Sequence, residues 1–261
     1  MPQFGYQTLG FGGGASEVKY GPPAVTGVSV DTDATGATSQ TCSHTVGAGV
    51  GRGLVVGISQ YNPTGQGGPA IPTGVTYAGV SMTRLPFLSY TEYVHLTTTV
   101  WYLVAPATGT NNIVASFAAT TTGASSIRGI SFTGVKQGTG YYADGMVSAS
   151  TSGTNNTGSS GLAYDIESLT PGAIHVDFLA IGIPGKSLLG YGGTPTNLAK
   201  GGTTSGTDIG AINSLQAGRY AVVPGGGELE NHGWTWSDAS GSPDGANYCW
   251  MTLKIQSDVY S

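Results

Sequence analysis

The chain has 261 residues, of which 9% are Asp, Glu, Lys or Arg, with 45 glycines and a net charge of −5. Its nine basic residues are scattered singly, so no cluster exists to neutralise phosphates, which argues against nucleic acid as a partner. No apolar run approaches the roughly 20 residues needed to span a bilayer, so a membrane is not expected as a partner either.

Low charge here does not mean disorder, because apolar runs with a strand period recur from end to end. The composition fits many short strands joined by long, neutral, Gly/Ser/Thr-rich loops. The length fits one all-β domain. We expect an N-terminal arm over 1–23 and a single antiparallel β-sandwich over 24–261.

The arm sets Phe4, Tyr6, Leu9 and Phe11 among glycines and closes on Gly21-Pro22-Pro23. Alone it has too little apolar surface to offset its ordering entropy. It is therefore expected to be extended and to dock through those four side chains. The opening residues show neither a basic n-region nor an apolar h-region, so the expectation is synthesis in a cytoplasm without a secretory signal.

From Ala24 the strands begin. Val25, Val28 and Val30 suggest the first, and Thr41 to Val46 the second, with Cys42, His44 and Val46 on one face. A strong central strand is expected over 53–59, followed by a long loop from Tyr61 to Pro72. Ala78-Gly79 reads as a tight hairpin between Val75-Thr76-Tyr77 and Val80-Ser81-Met82.

Between Val100 and Val135 three apolar runs are separated by turn chemistry, the first break being Pro106 to Asn112. Trp101 and Leu103 point one way, Tyr102 and Val104 the other, and Ile113, Ala115 and Phe117 repeat the beat. This predicts three consecutive antiparallel strands over 98–105, 112–118 and 128–135. Residues 141 to 161 read either as a strand with a hairpin tip or as a low-complexity loop.

A further strand is expected over 174–182. Its alternation puts His175 and Asp177 opposite Val176 and Phe178, which predicts one solvated face. Pro184 to Gly210 is loop-dominated. Arg219–Val223, Gly233–Ser237 and a last strand over 248–256 close the fold. Trp101, Leu103, Phe117, Phe132, Val176 and Phe178 are the expected core. No helix of three turns fits, and no fixed repeat suggests a solenoid.

Glu228, Glu230 and His232, beside Trp234 and Trp236, form the densest polar cluster. As an enzyme site they would be an acid/base pair over a sugar platform. Their two-residue spacing fits an exposed strand edge better, so no catalytic residue is assigned. The Asp238–Asp244 loop has oxygen ligands suited to a hard cation, but the same residues build ordinary turns. Histidines 44, 95, 175 and 232 lack metal spacing, and no glycine run sits between a strand and a helix. Neither metal nor cofactor is expected. Cys42 and Cys249 read as buried free thiols, with a disulfide left open because first and last strands often neighbour each other.

Two stretches resemble known proteins. FGYQTLGFGGG is similar to short N-terminal arms in structural proteins of tailed bacteriophages. The stretch from Gly74 to Val135 resembles a β-sandwich domain common in phage virion and environmental bacterial surface proteins. Trp101, the Pro106–Asn112 turn and Ser131 to Val135 match its motifs, as do Ile174 to Ile181, Trp234, Trp236 and Trp250 downstream. The resemblance covers most of 24–257, and its motifs are structural.

It implies a jelly-roll-like sandwich and brings no catalytic residue. The function expected from it is that of a non-enzymatic virion protein, a capsid decoration protein or a head or tail fibre component. Its partners would be other virion proteins and copies of itself. The alternative is a carbohydrate-binding or host-adhesion module, stacking a surface glycan on Tyr61, Tyr191, Trp234 or Trp236. A glycan hydrolase ranks behind both.

Overall fold

The computed structural model describes residues 22–33, 37–61, 71–86, 89–91, 96–118, 125–138, 146–159, 161–166, 173–182, 199–201, 207–208, 216–222, 229–235 and 246–257. Among them every regular element is a strand. In chain order these are β1 (Ala24–Asp33), β2 (Ser39–Val46), β3 (Gly53–Tyr61), β4 (Pro72–Tyr77), β5 (Val80–Ser81), β6 (Thr83–Arg84), β7 (Ser89–Thr91), β8 (Leu96–Val104) and β9 (Gly109–Phe117). They continue as β10 (Ser125–Thr133), β11 (Val147–Ser159), β12 (Gly161–Ile166), β13 (Ile174–Gly182), β14 (Ala199–Gly201), β15 (Thr207–Asp208), β16 (Gln216–Val222), β17 (Leu229–Thr235) and β18 (Ala246–Ile255).

A central sheet runs β1-β10-β3-β8-β6, with β7 also paired to β8. A first outer sheet runs β2-β9-β4-β5, a second runs β11-β18-β13-β16-β15, and a small sheet joins β12-β17-β14. The strand pairings are antiparallel.

The alternation of side chains decides how the sheets stack. Leu54, Val56, Ile58, Trp101 and Ile127 leave one face of the central sheet and meet Cys42, Val46, Val75, Tyr77, Ile113 and Phe117 of the first outer sheet. Val55, Val100, Tyr102, Ile130 and Phe132 leave the opposite face and meet Ile174, Val176, Phe178, Met251, Leu253 and Ile255 of the second. The central sheet is therefore packed on both faces, and among the described residues these two cores join three sheets in layers. Each fully buried Leu, Ile or Phe contributes roughly 1.5–3 kcal/mol before entropy costs.

The six expected strands are all present, shifted at their ends by a few residues. The hairpin at Ala78-Gly79 forms with both residues at positive φ, 49° and 79°. Trp101, Phe117, Phe132, Val176 and Phe178 are buried, whereas Leu103 is half-buried against the first core.

Two expectations need correction. The consecutive strands β8, β9 and β10 are not neighbours: β8 and β10 both pair with β3, while β9 crosses to the first outer sheet beside β2 and β4. The face of β13 bearing His175 and Asp177 is not solvated, because both residues are only 2% exposed. The reading of Cys42 and Cys249 as buried free thiols holds: both are free, one in each core, with the central sheet between them.

Close approach between layers depends on one glycine in particular. A β-carbon on Gly57 would overlap the Phe178 ring, which lies against the central sheet where that side chain is missing. Gly218 makes room beside the same ring and beside the Arg128 side chain, since a β-carbon there would crowd Arg128 Cδ. Arg128 is the largest fully buried side chain among the described residues. A charge so placed requires partners, and Arg128 is not without one.

Candidate functional site

Two clusters of hydrogen-bonded, chemistry-bearing side chains stand out, and neither was singled out in the sequence. The first lies on the far face of the second outer sheet. His175 and Asp177 stand two residues apart on β13, and Thr252 of β18 is the register partner of Asp177. The Thr252 hydroxyl donates to Asp177 Oδ1 at 2.7 Å. Its oxygen lies 3.0 Å from His175 Nδ1 and 2.9 Å from Nε2. Nδ1 is also 3.3 Å from Asp177 Oδ1.

A hydroxyl, an imidazole and a carboxylate are the components of a nucleophile relay, but the arrangement differs from one. The threonine proton is given to the carboxylate instead of to the imidazole that would act as base. All three residues are 1–2% exposed, so no substrate atom reaches the hydroxyl. The cluster ties β13 to β18. In register, the rank extends from Asp208 through Arg219 and Asp177 to Thr252 and Thr151.

The second cluster joins the central sheet to the first outer sheet, between β1 and β2. Ser29 Oγ is 2.8 Å from His44 Nδ1, and the Cys42 thiol donates to Ser29 Oγ at 3.4 Å. Gln40 Nε2 donates to Asp31 Oδ2 at 2.9 Å, and Ser125 Oγ donates to Gln40 Oε1 at 2.7 Å. Burial pushes the His44 imidazole down to about 4. Burial also pushes the Cys42 thiol up, its hydrogen bond to Ser29 pulls the other way, and the nearby Asp31 charge adds to the rise. His44 Nε2 has no hydrogen-bond partner among the described residues, which costs about 1–3 kcal/mol.

The surfaces are chemically different from this interior. The outward face of the first outer sheet presents Ser39, Thr41, Ser43 and Thr45 on β2, all exposed, and Thr110, Asn112 and Ser116 on β9. Thr41, Val114 and Thr76 stand in one rank across β2, β9 and β4. None of these positions carries a charge. Thr45 and Thr110 share a hydrogen bond of 2.8 Å between their hydroxyls.

No family model, curated protein or solved structure matches this chain.

Several of the residues proposed from the sequence lie outside the described residues: Phe4, Tyr6, Leu9, Phe11, Tyr191, Glu228, Trp236 and the Asp238–Asp244 loop. Tyr61 closes β3, and Glu230, His232 and Trp234 fall on β17, where His232 pairs with Tyr164 and Trp234 with Leu162. Among the described residues no three His, Cys, Asp or Glu side chains are grouped to hold a metal. No helix among them is long and apolar enough to cross a membrane.

The two buried clusters had faint sequence signals. His175-x-Asp177 within a strand was visible, but the alternation suggested solvent. Ser29 and His44 are 15 residues apart on strands of different sheets, and local periodicity carries no information about such a pair.

Proposed function

We propose that this chain is a non-enzymatic structural protein of a phage virion, of the capsid decoration or fibre kind, attached through the arm at 1–23. The observation that carries this reading is where the reactive groups lie. The His175–Asp177–Thr252 and Ser29–His44–Cys42 clusters are spent on joining strands and sheets, and the first outer sheet turns a neutral hydroxyl face outward. A scaffold needs such an interior, and an arm rich in aromatic residues and glycines suits attachment by strand addition or close backbone docking.

A second reading, adhesion to a neutral glycan, is favoured by that same hydroxyl face, whose groups both donate and accept hydrogen bonds and bring no charge.

The test compares the full chain with one lacking residues 1–16, each traced in purified virions by mass spectrometry. The full chain is expected in the particle, and the truncated chain is expected to fold yet be lost from it. Normal occupancy of the truncated chain would sink the arm's role. A full chain absent from virions but retained on a neutral polysaccharide column would favour the second reading.

A further inference from the structure

We propose that the contact between β1 and β2 is an acid-sensitive latch, held closed by neutral His44 against Ser29 and opened when that imidazole takes up a proton. β1 is the edge strand of the central sheet and β2 that of the first outer sheet, so this contact is where the two layers are fastened at one side. The fastening is polar: Ser29 to His44 at 2.8 Å, Cys42 to Ser29 at 3.4 Å and Gln40 to Asp31 at 2.9 Å. The backbones are also close, since a β-carbon on Gly27 would overlap the Thr45 carbonyl oxygen.

The neutral ring is ordered at Nδ1. The Cys42 thiol donates to Ser29 Oγ, which leaves the serine proton free to be given to His44 Nδ1. A second proton on the ring breaks this order. Nδ1 then becomes a donor and can no longer accept from Ser29, and a full charge sits in a residue 1% exposed whose Nε2–H, unpartnered already in the neutral ring, has no acceptor among the described residues. A buried imidazolium with one of its two N–H groups unpartnered is costly, and opening the contact to water relieves it.

The titratable groups around the imidazole are few. β2 itself contributes Cys42, and β1 contributes Asp31, already bound to Gln40. From β4 comes Tyr77, whose ring stands edge-on at 6.2 Å and whose hydroxyl donates to the Gly109 carbonyl at 3.0 Å. β9 and β10 face it with Asn111 and Gly129, which do not titrate.

The sign follows from linkage. The closed imidazole titrates at about 4 and the opened one returns towards the ordinary 6.5, so protons favour the open form. The latch is fully stable above pH 6.5 and weakens progressively as pH falls towards 4. Between pH 7.5 and 4.5 the open population should rise roughly 70-fold.

Amide hydrogen exchange of the full chain at those two pH values, corrected for intrinsic rates, reads this directly. Protection in β1 and β2 should fall by that factor, while β3 and β8 change little. His44→Asn, which keeps an amide able to meet Ser29 but does not titrate, should flatten the dependence, and Asp31→Asn should leave it in place. If His44→Asn does not fold, NMR titration of the wild-type imidazole decides, with a midpoint near 4, the pH at which the loss of protection should level off. Equal protection at both pH values overturns the latch. So does a dependence that survives His44→Asn or vanishes only in Asp31→Asn.

Discussion

Phe178→Ala is expected to lower the unfolding free energy by about 3–5 kcal/mol, the range for a large aromatic removed from a packed core. Phe178 is 1% exposed and fills the space between the central and second outer sheets that Gly57 leaves open. The reverse change, Gly57→Ala, should cost about 1–3 kcal/mol, because the new methyl overlaps the ring. The two effects share one cause, so they should not add. With Phe178→Ala already present, the methyl enters the cavity, and the double variant should be more stable than the sum predicts by at least about 1 kcal/mol. Denaturant unfolding of the four species measures this. Additivity within about 0.5 kcal/mol would mean that Gly57 and Phe178 are not in contact.

Asp177→Ala is the second large effect, expected to cost roughly 2–5 kcal/mol. It removes the acceptor of the buried Thr252 hydroxyl and the carboxylate 3.3 Å from His175. Asp177→Asn keeps an oxygen for Thr252 and should cost less. A loss below about 1 kcal/mol for Asp177→Ala would mean that water reaches this face and replaces the carboxylate.

The strands were legible because the chain spells them in local alternation and turn chemistry. The stacking order was only partly so, and β8, β9 and β10 show why. β9 alternates exposed and buried positions, as an outer strand with one wet face must. In β8 the residues from Leu96 to Tyr102 are buried without alternation, as are those of β10 from Ser125 to Phe132, because both lie in a sheet covered on two faces. The difference in pattern was present in the sequence, but Thr97, Thr98, Thr99, Ser125 and Ser126 hid it by placing hydroxyls at buried positions.

The same difficulty applies to the candidate clusters. His175 and Asp177 look polar and therefore wet, yet Thr252, 75 residues further on, supplies the partner that allows Asp177 to be buried. Ser29 and His44 meet because two edge strands of different sheets cross, a long-range event that no local spacing announces. Cys42 and Cys249 were legible as buried free thiols, and the central sheet between them closes the alternative of a disulfide.

Those two thiols give the most direct test of the three-layer arrangement. Cys42, 2% exposed, sits in the core beneath the first outer sheet, and Cys249, 0% exposed, meets Thr98 in the core beneath the second. Each therefore reports on one interlayer. Alkylation of the native chain with iodoacetamide near pH 8, read by mass spectrometry, should leave both unmodified, and denaturant should make both react. Rapid native labelling of either thiol, or an oxidised chain with Cys42 joined to Cys249, would contradict a central sheet buried on both faces.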